Sequence, residues 1–178
     1  GFSLTLAEGE TVIPGDAGGR IALDGSSFHI DDLGADPIPA RITVLGDGPA
    51  SAILSLIDGE PLTLLDTMPL APAAVGGTAQ VTAQLTVPLL RDLKLEQVGV
   101  TAEATLRDTS LSLAALRPGL TLTANRLALQ ADVDRLRLQG AGRAGDMALH
   151  LDWQEEFAPQ SGEPRSRLAH AASLDPAA

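Results

Sequence analysis

Residues 76–108 read GGTAQVTAQLTVPLLRDLKLEQVGVTAEATLRD, and the pattern of this stretch decides the fold. Apolar side chains occupy every odd position from Ala79 to Val87, with threonine or glutamine between them. The even positions from Val98 to Leu106 repeat the pattern. Strict alternation with a period of two predicts two long strands, each with one apolar and one polar face. A broad sheet with one apolar face follows, and what covers that face is the functional question.

Shorter alternating segments with turn residues between them continue on both sides of this central pair. The connections are too short for helical crossovers, so we expect antiparallel pairing throughout. Apolar residues fall on even positions from Leu120 to Ala124 and on odd positions from Leu127 to Val133. This change of phase predicts a β-bulge at Asn125-Arg126, since a slip without one would turn every later side chain to the other face.

One segment breaks the strand pattern and predicts a short helix over residues 49–58. Pro49 suits the first position of a helix, and Ile53, Leu54 and Ile57 fall on one helical face. We expect this helix to close one end of the sheet. The predicted fold class is therefore all-β with a minor helix: a long, curved, mainly antiparallel sheet that forms a groove or half-open barrel with an apolar inner face.

The pattern divides the chain at residue 157. Residues 1–157 form the β-rich unit, and residues 158–178 are predicted to be a linker followed by the start of a further segment. The chain opens at Gly1 already in a strand-like pattern. We therefore expect it to be part of a longer protein.

Composition excludes several classes of function. With 12 basic and 23 acidic residues the net charge is −11, which disfavours binding to nucleic acid or to anionic lipid headgroups. The absence of cysteine removes disulfides, thiolate metal sites and thiol nucleophiles. Aromatic residues make up only 2% of the chain, so the 44% that is hydrophobic is mainly aliphatic.

Motifs with possible chemistry have simpler structural interpretations. Gly140 to Gly145 matches G-x-G-x-x-G, but an alternating strand follows where a dinucleotide site needs a helix, so a hairpin is favoured. The paired acids Asp31-Asp32 and Glu155-Glu156 point to opposite sides of an extended chain and are interpreted as loop-solvating residues.

Histidine and serine give no stronger signal. His29, His150 and His170 are widely separated and lack metal-ligand spacing, so no metal site is expected. Ser26-Ser27 near His29 and Asp31 would suit a hydrolase triad, but no nucleophile elbow accompanies them. The sequence predicts no catalytic residue, no metal and no cofactor, and a hydrolase is the least favoured alternative.

Several segments together resemble one family, the AsmA-like envelope proteins of Gram-negative bacteria, of the YhdP and TamB type. The similar segments are residues 28–32, 37–40, 53–62, 77–93 and 149–157, and the resemblance covers about residues 1–157. It implies a periplasmic, cell-envelope location with the full-length protein anchored in the inner membrane. It also implies a non-enzymatic role in inter-membrane phospholipid transport and outer-membrane homeostasis, with acyl chains shielded in an apolar β-groove.

Partners follow from the same resemblance. They are a phospholipid or other acyl-chain lipid, neighbouring β segments of the same full-length chain, and outer-membrane assembly proteins. The main alternative is a scaffold or chaperone that assists outer-membrane β-protein assembly by strand pairing at a sheet edge. On the residues alone, a closed β-sandwich core is favoured over an open face; the resemblance reverses that order.

The predicted lining of the lipid groove is a set of aliphatic residues that alternate along the strands. They are Val81, Ala83, Leu85, Val87, Val98, Val100, Ala102, Ala104, Leu106, Leu122, Leu129, Leu138, Leu149 and Leu151.

Overall fold

The computed structural model of the protein describes residues 1–58, 71–94, 97–112, 119–157 and 166–173. The strands are β1 (Phe2–Thr5), β2 (Glu10–Ile13), β3 (Gly19–Ala22), β4 (Ser27–Ile30), β5 (Pro39–Pro49), β6 (Val75–Pro88), β7 (Gly99–Ser112), β8 (Thr121–Asp132), β9 (Arg135–Ala144), β10 (Met147–Glu156) and β11 (Ser166–Ser173). One α-helix, α1, spans Ala50–Asp58, and a 3₁₀ turn spans Pro72–Ala74. Within the described residues, no helix has the length and apolar character needed to cross a bilayer.

All eleven strands belong to one antiparallel sheet, which confirms the predicted fold class. The main order is β1-β4-β5-β6-β7-β8-β9-β10-β11, so from β4 onward neighbours in the chain are neighbours in the sheet. The hairpin β2–β3 joins β5 through the pair Ala22 and Asp47. The sheet does not close on itself, and β1 and β11 each have one neighbour among the described strands.

The predicted helix is confirmed, with its first residue at Ala50 instead of Pro49. Ala50 and Ala52 are buried, because the small side chains let the helix approach the sheet closely. The helix packs on the end of the sheet where β6 begins and so covers only that end. The cluster there contains Ala50, Val75 and Ala79, with Ile53, Leu54, Val81, Leu106 and Leu111 packed against them.

A second cluster lies at the other end of β6. Ile30, Ala40 and Val87 are buried there, where β4, β5 and β6 run side by side. Phe28, Ile42 and Leu85 pack against them from the same strands. The two clusters therefore fix opposite ends of the central strands.

The phase change predicted at Asn125-Arg126 is a β-bulge, because the register of β8 on β9 shifts between Thr123 and Arg126. A second irregularity lies in the neighbouring β6–β7 pair. The register of β6 on β7 shifts between Gly76 and Thr78, where Gly77 has φ +100°. The β7 residue at this point, Asp108, adopts a left-handed φ of +49°. The two irregularities lie side by side, because Arg107 and Arg126 are direct partners.

Strand β11, which lies beyond the predicted boundary at residue 157, belongs to the same sheet as the preceding strands. Strand β11 pairs with β10 along eight positions, from Glu155–Ser166 to Ala148–Ser173. Residues 166–173 thus extend the same sheet, and residues 158–165 lie outside the described residues. The sequence missed this because β11 is a short alanine-rich segment without strong alternation.

Candidate functional site, an uncovered apolar sheet face

The register of the central strands aligns the predicted lining residues in rows. Directly opposite residues of an antiparallel pair point to the same face. One row runs through Val81, Ala104, Leu129 and Leu138, across β6 to β9. The row continues to Trp153 on β10. The apolar side chains of five consecutive strands thus share one face.

The same alignment applies to the neighbouring rows. Ala83 faces Ala102, and Leu85 faces Val100. Leu122 faces Leu111, which in turn faces Val75 of the helix-covered cluster. The structure thus brings the whole predicted lining set to a single surface, which we call the apolar face: Val81, Ala83, Leu85, Val87, Val98, Val100, Ala102, Ala104, Leu106, Leu122, Leu129, Leu138, Leu149 and Leu151.

No second sheet covers the apolar face within the described part of the chain, because every described strand belongs to the one sheet. Val87 and Leu122 are buried, and the other twelve lining residues are half-buried. A closed sandwich would bury most of them below a tenth of their area, as it does an ordinary core. The described residues therefore form an open face that is fixed at its ends and accessible at its centre.

The two faces of the sheet differ in the solvent exposure of their alanines as well as in polarity. Ala83, Ala102 and Ala104 on the apolar face are half-buried, whereas Ala128 and Ala141 on the polar face are exposed. Residues of one type with flanking strands on both sides should be equally exposed on a flat sheet. At these positions the apolar face is the less exposed one, whereas the larger surface depression lies on the polar side of the sheet.

The apolar face ends at a residue that sequence reasoning misinterpreted. Glu155 was predicted to solvate a loop, but it lies in β10 and is only 4% exposed. It faces Leu136 across the β9–β10 pair, two residues beyond Trp153 on the same side of the strand. The sequence did carry a signal for this burial. Glu155 continues the every-second-residue pattern of Leu149, Leu151 and Trp153, so its side chain points to the same face as theirs.

Two depressions mark the surface of the sheet. One, of about 370 Å³, is lined mainly by apolar side chains between β1, β4 and β5, among them Leu4, Phe28 and Ile42. The other, of about 700 Å³, is lined mainly by the polar side of β5 to β8, including Asp47 and Gln80. The sequence did not predict either, because both depend on how a twisted sheet bends.

Gly140 to Gly145 form a hairpin, as predicted. Strand β9 ends at Ala144, Gly145 has φ +59°, and β10 begins at Met147. A Cβ atom at Gly140 would lie 2.7 Å from the Arg126 carbonyl oxygen. Glycine is needed there because β8 approaches closely, and a strand follows instead of a phosphate-binding helix.

The serine, histidine and aspartate near residue 30 do not assemble into a triad. His29 Nε2 lies 2.8 Å from Asp31 Oδ1 at the surface. The Ser26 hydroxyl bonds instead to the backbone of Leu45, accepting from its N–H at 3.0 Å. Within the described residues no group of three or more histidine, aspartate or glutamate side chains is placed to hold a metal ion.

Charged groups of the polar face are held in pairs. Arg137 donates to both carboxylate oxygens of Asp152, at 3.0 and 2.7 Å, and Gln139 donates to one of them at 3.1 Å. The hydrogen bond from Arg137 lowers the pKa of Asp152 below its ordinary value. These contacts tie β9 to β10 on the side opposite the apolar face.

Comparison with known proteins found no matching family model, no matching curated protein and no matching solved structure.

Proposed function

We propose that this chain is a non-enzymatic, β-rich segment of an AsmA-like envelope protein whose apolar face shields lipid acyl chains during phospholipid transport between membranes. The observation that carries the proposal is the apolar face itself, aligned across β6 to β10 and without a second sheet above it among the described strands. The resemblance of the sequence supplies the compartment, the periplasm, and the inner-membrane anchor of the full-length protein.

The chemistry of the face suits a lipid that must both bind and leave. Each acyl methylene exposed to water costs about 0.8 kcal/mol, so a chain of about sixteen carbons costs on the order of 13 kcal/mol. A smooth surface of alanine, valine and leucine offsets much of this cost without a deep pocket. The row from Val81 to Leu138 is aliphatic and ends at one aromatic side chain, Trp153 on β10.

The dimensions of the face also fit. The row from Val81 on β6 to Trp153 on β10 crosses four inter-strand spacings of about 4.8 Å, or roughly 19 Å. One leaflet of a bilayer has a hydrocarbon thickness of about 15 Å, half of the whole core. One row can therefore shelter an acyl chain along its length.

A binding measurement with matched variants tests the proposal. Ala102 lies at the half-buried centre of the apolar face, and Thr101, its neighbour, points to the exposed polar face. We expect Ala102→Asp to reduce binding of a fluorescent fatty acid about tenfold or more, because the charge interrupts the apolar track. Thr101→Asp adds the same charge to the other face and should bind as the wild type does. Equal binding by both variants would refute a role for the apolar face.

The alternative function, assistance to β-protein assembly, has one observation in its favour. Strand β1 lies at an open edge of the sheet, and an open edge can accept an added strand. The N–H of Leu6 bonds inward to Ser26, so by alternation the N–H of Ser3 points outward. Ser3→Pro removes that outward donor and should abolish strand addition while leaving fatty-acid binding intact. If Ser3→Pro impairs the function of the full-length protein and Ala102→Asp does not, the alternative is favoured over lipid shielding.

A further inference from the structure

A row of exposed side chains crosses the polar face near the two bulges. Thr78 faces Arg107, Arg107 faces Arg126, Arg126 faces Ala141, and Ala141 faces His150. All five residues are exposed, and direct partners point to the same side. We call these five residues the polar-face row. In order, the row presents a hydroxyl, two guanidinium groups, the small side chain of Ala141 and an imidazole.

The two arginines stand in an unfavourable arrangement. Like charges directly opposite on neighbouring strands destabilise a sheet. Within the described part of the chain neither Arg107 nor Arg126 forms a side-chain hydrogen bond or ion pair, even though the protein has 23 acidic residues. Four other strand arginines have acidic partners: Arg20 contacts Glu10, Arg41 contacts Asp31, Arg135 contacts Asp132 and Arg137 contacts Asp152.

Neighbouring charges leave the pair positive. Asp152, the carboxylate nearest to His150 along β10, is already held by Arg137. Asp108 follows Arg107 at the bulge, where its left-handed backbone takes it out of the regular alternation, and it pairs with neither arginine. Arg143 lies two residues after Ala141 on β9, on the same face, and adds a further positive charge.

The small side chain of Ala141 leaves space for a ligand beside Arg107 and Arg126. Its methyl group lies between Arg126 and His150, which are separated by two strand spacings, or about 10 Å. A small tetrahedral anion could sit above the alanine with a guanidinium fork on one side and an imidazole on the other. Thr78 provides a hydroxyl donor beyond Arg107.

We propose that the polar-face row binds a phosphate group through Arg107 and Arg126. Arginine forks bind phosphate oxygens in bidentate, charge-assisted hydrogen bonds, and a dianion between the two guanidinium groups removes their mutual repulsion. This site lies on the face opposite the lipid-shielding face, so it stands or fails independently of the proposed function. The phosphate group belongs either to a soluble phosphate monoester or to a lipid headgroup presented from outside the sheet.

Titration of the 178-residue protein with inorganic phosphate tests the site. NMR signals of the arginine Nε–H groups report on each arginine separately. We expect saturable shifts at Arg107 and Arg126 with a dissociation constant near the millimolar range, as an exposed two-arginine site allows. The shifts should shrink as sodium chloride is raised, because exposed charges are screened.

Variants with matched charge changes separate this site from general attraction. Arg107→Gln and Arg126→Gln should each weaken phosphate binding about tenfold or more. Neither should melt below the wild type, because each removes a like-charge contact. Arg91→Gln removes an equal charge from the exposed β6–β7 connection and should leave binding unchanged. Arg126→Lys keeps the charge but loses the fork, and should weaken binding by an intermediate factor.

Two further titrations identify the source of the phosphate. Glycerol 3-phosphate represents a soluble monoester, and vesicles containing phosphatidic acid represent a headgroup, with phosphatidylcholine vesicles as the control. Binding to either that is lost in Arg107→Gln supports the site and names its source. Equal phosphate binding by the wild type, Arg107→Gln and Arg126→Gln, or no saturable shift at either arginine, would overturn it.

Discussion

A carboxylate introduced at the centre of the apolar face should be tolerated, whereas the same carboxylate beneath the helix should not. Ala79 and Ala102 lie on the same face of adjacent strands. Ala79 is 4% exposed under α1, and Ala102 is half-buried with no element packed above it in the described residues. An unpaired charge at Ala79 should cost about 3 kcal/mol or more, because its solvation is lost. At Ala102 water reaches the carboxylate, so the cost should stay below about 1 kcal/mol.

The assay is thermal unfolding of the 178-residue protein, with Thr101→Asp as the baseline. Thr101 is exposed on the polar face and lies opposite Asp132 on β8, so this variant measures the weak β-propensity of aspartate together with the repulsion between these two carboxylates. For a domain of this size 1 kcal/mol corresponds to roughly 2–4 °C in melting temperature. We expect Ala102→Asp to fall within about 4 °C of the baseline and Ala79→Asp to melt at least about 6 °C lower. If Ala102→Asp melts as low as Ala79→Asp, the face is covered and the reasoning is wrong.

Three further predictions follow from local contacts. Because its folded-state pKa is lowered, the Asp152 carboxylate stabilises the fold above its unfolded pKa of about 3.9, and that stability is lost as the pH falls through the folded value. Replacing Asp152 by Asn should therefore make the melting temperature depend less steeply on pH below about pH 4. If the variant and the wild type show the same pH dependence there, the ion pair with Arg137 does not contribute to stability. Gly77→Ala should cost about 1–3 kcal/mol in chemical denaturation, because φ is +100° and the new Cβ would lie 2.5 Å from a carbonyl oxygen. The control Gly145→Ala has open space and φ +59°, so it should cost about 1 kcal/mol less, and a larger loss there would contradict this account. Ser3→Pro should leave the melting temperature within about 2 °C of the wild type, and a larger drop would show that its N–H bonds within the sheet.

Much of the sheet could be predicted because its information is local. Alternation along β6 and β7 fixes which side chains share a face, and the phase change at Asn125-Arg126 gives the bulge directly. The second irregularity had a similar signal, since apolar positions change from even at Leu106 to odd at Leu111. Short connections then require antiparallel neighbours, which the structure shows from β4 onward.

The remaining features depend on long-range pairing that no local pattern encodes. The β2–β3 hairpin lies between β1 and β4 in the chain, yet β1 pairs with β4, starting at Phe2 and Ile30. The pairing of Arg107 with Arg126 likewise depends on the register across two bulges. The attachment of β11 likewise follows from pairing between residues 148–155 and 166–173, not from either segment alone.

The central claim is that lipid acyl chains lie on the apolar face, and photocrosslinking tests it most directly. A photoreactive amino acid replaces Ala102 on the apolar face or Thr101 on the polar face, in cells that produce the full-length protein. The account predicts phospholipid adducts from position 102 and few or none from position 101. Equal adducts from both positions, or none from position 102 in the folded protein, would contradict it.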